Sequence, residues 1–141
     1  MTLQINPVPK GLVGTGPTDY DRRILGVANT SRPTFTLREP LDDVVLVMRF
    51  AWQQSADCWV QDLRTTGGDT IRLGVGLVAS GVDLWACIAS DARMPGGQLW
   101  VSWGDGRTRR PGRDAWTGDA RLYYRPAALR AALAGTERAL V

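Results

Sequence analysis

Four arginines, Arg107, Arg109, Arg110 and Arg113, fall within the glycine-rich stretch Gly104–Arg113. A guanidinium fork matches carboxylate or phosphate oxygens two at a time. Three readings of this stretch follow: a contact to an acidic protein patch, a contact to phosphates, or a solvated loop with Asp105 and Asp114 as local counter-charges. No aromatic residue interleaves with the arginines, which counts against stacking on a single strand. Asp57, Asp62, Asp69 and Asp83 contain the carboxylates a glycosidase would need, yet they stand at strand ends and turns, where aspartate serves the backbone. Gly67-Gly68, Gly74-Val-Gly76 and Gly104-Asp-Gly106 match neither phosphate-loop pattern and lead into no helix, so they read as turn glycines. The six tryptophans are core or subunit-contact residues before they are a carbohydrate platform, because each ring adds a large buried area. Trp100 stands apart, since alternation sends it opposite Leu99, Val101 and Trp103.

The rest of the composition narrows the chemistry further. The 141 residues include no histidine, which removes the commonest general base and the commonest zinc ligand. Cys58 and Cys87 cannot build a four-thiolate site and read as free thiols. No cofactor or metal is expected, and no catalytic residue is assigned. The net charge of +3 is small for a protein that binds by neutralising phosphates. All but one of the 17 basic residues are arginine and all but two of the 14 acidic ones aspartate. Lysine and glutamate, the usual fillers of helix surfaces, are nearly missing, so strands joined by turns are expected. Neither a signal peptide nor an apolar run long enough to cross a bilayer is visible.

Stepping along the chain, residues 1–23 are broken by Pro7, Pro9, Gly11, Gly14, Gly16 and Pro17 and read as an extended arm. Residues 24–134 form the expected domain and 135–141 a tail. A short edge strand is expected at Ile24–Ala28 and a half-buried one at Pro33–Arg38, followed by a turn over Arg38–Asp43. Val44–Trp52 is apolar on both faces, as a central strand usually is, and is the best core candidate. Further strands are expected over Asp57–Arg64, Thr70–Val78, Gln98–Trp103 and Asp119–Arg125. Pro126 opens the one convincing helix, which runs to Ala134 before Gly135. The fold class is all-β: six to seven antiparallel strands in one small barrel or sandwich, with a short C-terminal helix.

The order of these pieces resembles the baseplate plug domain family of contractile-tailed phages, named from a cyanophage baseplate. The resemblance runs from about Phe35 to Leu129. It includes a tryptophan strand ending in Asp-Leu (Trp59, Asp62, Leu63) and a Gly-Val-Asp-Leu turn (Gly81, Asp83, Leu84). A Pro-Gly-Gly follows (Pro95, Gly96, Gly97) before an apolar strand, and then a closing Gly-x-x-x-Leu-Tyr-Tyr strand (Gly118, Leu122, Tyr124). Trp85 stands where the pattern has an aliphatic residue, and the first 23 residues are additional to it.

The resemblance implies a virion protein made in the host cytoplasm and built into the central tail baseplate. It would join the tail tube end to the hub and spike by contact, in several copies around the tail axis. The glycines of the motifs would shape turns, and Trp59, Leu84, Leu122 and Tyr124 would pack the core. Segment 1–23, the arginines Arg107, Arg109, Arg110 and Arg113, and Trp100 would meet neighbours. No membrane is expected among the partners, and nucleic acid is not expected either. Two rivals come from other classes: an OB-like single-strand-binding module using the Arg107–Arg113 loop, and a small glycosidase using Asp62 or Asp83.

Overall fold

Runs of alternating apolar and polar residues separated by Gly, Asp and Pro build strands with one face for a core. The computed structural model describes residues 21–27, 30–77, 83–103 and 110–132. Among them are seven strands: β1 (Arg22–Arg23), β2 (Thr34–Leu41), β3 (Val44–Gln53), β4 (Cys58–Thr65), β5 (Thr70–Gly76), β6 (Gln98–Trp103) and β7 (Ala120–Arg125). All pairings are antiparallel. One sheet has the order β2-β3-β4-β5 and the other β1-β7-β6. The two enclose one core and make a sandwich rather than a closed barrel. Helix α1 covers residues 127–132. Residues 1–20 of the arm, Gly81, Arg107, Arg109 and the tail 135–141 lie outside the described residues.

The turn expected over Arg38–Asp43 is tighter than its composition indicates. Strand β2 continues through Pro40 to Leu41, and only Asp42 and Asp43 make the connection, with φ of 47° and 64°. Left-handed backbone at both central residues is what a two-residue hairpin turn needs to match strand twist, and aspartate tolerates it. Pro40 is accommodated because β2 is an edge strand, where a missing N–H can face away from the sheet. The strand expected at Ile24–Ala28 is a 3-10 turn over Leu25–Val27 instead. The pairing falls two residues earlier, with Arg22 opposite Tyr124 and Arg23 opposite Tyr123. Asp21 and β1 are thus built into the sandwich, although both lie in the 1–23 segment.

Two extra residues bend β5. Between the pairs Gln61–Val75 and Leu63–Arg72, Asp62 faces both Leu73 and Gly74, and a second shift follows at Ile71. Gly74 has a φ of 71°, and its N–H donates to Asp62 Oδ1 at 2.8 Å. A glycine bulge of this kind increases local twist and turns an edge strand away from flat pairing.

Leu46, Met48, Phe50, Trp59 and Leu63 of one sheet and Leu99, Val101, Leu122 and Tyr124 of the other share one buried cluster, with the Trp116 ring against Trp59 and the Trp85 ring against Tyr124. Strand β3 is central, but only one of its faces is buried in this core. Its second face holds Val45, which is 39% exposed, so the apolar character of both faces does not mean burial on both. Trp100 also departs from expectation. It is 1% exposed and lies outside the core cluster, on the opposite face of β6 beside its pair-mate Tyr123. The two rings stack at 5.2 Å. The Arg125 guanidinium sits 5.3 Å over the Trp100 ring, so the indole meets a cation of its own chain rather than open solvent.

Candidate assembly interface

Five of the motif residues, Gly96, Gly97, Tyr124, Asp83 and Leu84, take part in two junctions. At the first, the Tyr124 hydroxyl donates to Asp42 Oδ2, and the Gly97 N–H donates to the Tyr124 oxygen at 3.0 Å. The Ala127 N–H donates to the same Asp42 oxygen at 2.7 Å, satisfying a backbone donor at the start of α1 that no helical carbonyl can reach. Arg130 closes the ring by donating to the Gly96 carbonyl at 3.1 Å. Gly97 lies so close to the Arg125 carbonyl and the Tyr124 ring that a Cβ would overlap both. The Pro-Gly-Gly motif therefore has a steric reason for its second glycine. Burial, and then the Asp42 carboxylate beside it, push the Tyr124 hydroxyl well above its ordinary pKa of 10, so it stays a donor.

At the second junction, Asp83 and Leu84 lie against β6. Leu84 N–H donates to the Leu99 carbonyl at 2.8 Å, while Asp83 Oδ1 accepts from Trp85 N–H at 3.0 Å and Leu99 N–H at 3.3 Å. The Trp85 indole donates to Gln61 Oε1 at 2.8 Å, and Gln61 Nε2 reaches Met48 Sδ at 3.3 Å. A buried polar link thus joins the 83–85 turn to the four-stranded sheet. Gln61 carries no sequence signal beyond sharing the inward face of β4 with Trp59 and Leu63. Asp42 is equally silent, because its partners lie more than 80 residues away.

Burial holds the Asp83 carboxyl above its ordinary pKa of 3.8, with the N–H groups of Trp85 and Leu99 and the charge of Arg130 pulling the other way. The folded chain therefore binds this proton more tightly than the unfolded one, and the contribution of Asp83 to stability falls as pH rises from 3.8 through the folded value. Asp83→Asn keeps an acceptor oxygen but cannot titrate, and is expected to flatten the fall in urea-measured stability as pH rises above 3.8. Asp83→Ala strands two backbone donors and is expected to cost about 2–4 kcal/mol. Equal losses from both variants would show that the oxygen is dispensable.

Asp62 is partly buried and committed to the bulge N–H and to Arg49 at 3.6 Å, which makes it a sheet residue paired locally. Asp62 and Asp83 are held in separate structural settings, one at the bulge and the other against β6. Among the described residues, no three His, Cys, Asp or Glu side chains gather in a way that could hold a metal ion. No helix among them is long and apolar enough to cross a membrane. Cys58 is buried and Cys87 exposed, both free.

Two of the four loop arginines are described, and both lean on the protein. Arg110 lies 4.0 Å from Asp57, and Arg113 donates to the Ser31 carbonyl at 3.0 Å while lying 3.7 Å from Asp114. Pro95 is buried and Gly118 exposed, the latter donating its N–H to the Ala115 carbonyl at 3.1 Å. The two sheets and their seven strands are not the five-stranded barrel of an OB-like module.

The family described as cyanophage baseplate Pam3 plug gp18 matches residues 24–127, most of the chain. The chain belongs to this baseplate plug family. A structural role in a phage tail baseplate goes with that membership, among other baseplate proteins of the virion. The match runs from Ile24, just after β1, to Ala127 at the start of α1, and covers the second junction and all of the first except Arg130. Comparison with curated proteins finds no match.

Proposed function

We propose that this plug-family protein is an adaptor of the central baseplate, joining the end of the tail tube to the hub and spike through protein contacts and in several copies around the tail axis. The observation that carries the reading is the family match over residues 24–127. The two junctions support it, because side-chain bonds between segments distant in sequence brace the sandwich as one block, and a well-braced block suits a part that works by fit. Under this reading Gly96, Gly97 and Gly118 shape turns around the block. Trp59, Leu63, Leu84, Leu122 and Tyr124 pack it. Residues 1–20 and the arginines of the 104–113 stretch reach neighbours. The chain performs no reaction in this role.

The test is the position of the protein in purified contractile tails, read by antibody labelling in the electron microscope and by cross-linking to the tube end and hub. Label confined to the spike-proximal end of the tube, with cross-links to both neighbours, is the expected result. Tails that lack the protein, or label along the sheath, would overturn the proposal.

A further inference from the structure

The outward face of the four-stranded sheet is built unlike a surface meant only for water. Register places Arg38, Val47 and Arg64 in one row across β2, β3 and β4, with Thr36, Arg49 and Asp62 in the next. In an antiparallel sheet with one wet face, outward positions are ordinarily polar. Here the two central strands place Val45, Val47 and Val60 on that side, where their pair-mates are outward residues of the neighbouring strands. Val45 is 39% exposed, and Leu73 on the neighbouring edge strand is 55% exposed. Asp62 is the sole carboxylate in these rows, and it is already spent on Arg49 and on the Gly74 N–H. Among the described residues, Arg38 and Arg64 have no ion pair and no side-chain hydrogen bond. Aliphatic residues are thus bordered by two uncommitted guanidinium groups.

The charges choose the occupant. A second copy pairing through the same face would bring arginine against arginine, which disfavours a self-complementary contact. A nucleic acid would leave the valines without a purpose and find no aromatic ring among these positions for its bases. We infer that this face docks an acidic protein surface, a partner's apolar ridge seated over Val45, Val47 and Val60, with carboxylates reaching Arg38 and Arg64. The inference rests on the baseplate role proposed above and identifies a contact surface on the sheet, separate from the arm and the arginine loop.

The test uses the full chain in assembled tails. A photo-cross-linking residue at Val47 is expected to capture a partner peptide that carries at least two carboxylates. The Arg38→Glu, Arg64→Glu chain is expected to melt like the parent, since neither arginine has a partner to lose, yet to load into tails at least about ten-fold less. Exchanging the captured carboxylates for arginine should restore loading. If the reversed chain unfolds, Arg38→Gln with Arg64→Gln carries the same comparison. Normal loading of the reversed chain, a cross-link to nucleic acid or to the same face of a second copy, or failure of the exchange to restore loading would each overturn the inference. Loss of the inference alone is recognised by parent protein present in tails beside normally loaded variant; absence of the parent protein removes the baseplate role as well.

Discussion

Replacing Trp59 by alanine is expected to cost about 3–5 kcal/mol of folding stability, the range for truncating a fully buried large ring. The side chain has no exposed surface. Its ring meets Phe35 at 5.8 Å, Trp52 at 5.7 Å and Trp116 at 5.9 Å, in tilted and edge-on arrangements that add to the value of the buried area. Its indole N–H donates to the Gly112 carbonyl at 2.8 Å, tying β4 to the segment that leads into the Ala115–Thr117 turn. Trp59→Phe keeps most of the ring contact and loses the bond, so about 1–2 kcal/mol is expected there. Urea denaturation measures both, and near-ultraviolet circular dichroism reports the loss of ring packing. Equal effects from the two substitutions would mean that the bond to Gly112, rather than the packed volume, dominates.

Asp21→Ala is expected to be of similar size, about 3–5 kcal/mol, for a different reason. Arg125 donates from Nε to Asp21 Oδ1 at 2.9 Å and from Nη2 to Oδ2 at 3.1 Å, and both side chains are almost fully buried. Deleting the carboxylate deprives a buried guanidinium of its bidentate counter-charge, so most of the loss is desolvation no longer offset. The combined change Asp21→Leu with Arg125→Met removes both charges at comparable volume and is expected to recover most of the stability. A double variant as unstable as Asp21→Ala would place the energy in contacts other than the ion pair. The location gives the result a structural meaning, because Asp21 immediately precedes β1 and stands where residues 1–20 join the sandwich. A truncation meant to remove only the arm should stop before Asp21.

Local patterning revealed the strand content, and the physics is short-range. Alternation along Gln98–Trp103 and Asp119–Arg125 depends only on which residues share a pleat, so β6 and β7 were legible to within a residue. The Asp-Asp connection after Leu41 was legible as part of a turn, because aspartate carries its conformational preference with it. Pro40 misled, since a proline ends a central strand and not an edge one, and edge position is a property of the whole sheet. Leu25 misled for a related reason: an apolar triplet beside a glycine can be a strand or a 3-10 turn, and the pairing of Arg22 and Arg23 with β7 decided it.

By itself the sequence determined that this is an all-β chain, which residues share each strand face, and which family its motifs belong to, because these follow from neighbours a few positions apart. Only the tertiary structure decided that Asp42 serves Tyr124 and Ala127, that Gln61 receives the Trp85 indole, and that Asp21 holds Arg125, pairings that span 24 to 104 residues. It also decided which apolar faces are covered: Trp100 is sheltered while Val45 remains open. A pleat dictates which side a side chain takes, but what lies over that side is set by elements far away in the chain, and no local period encodes it.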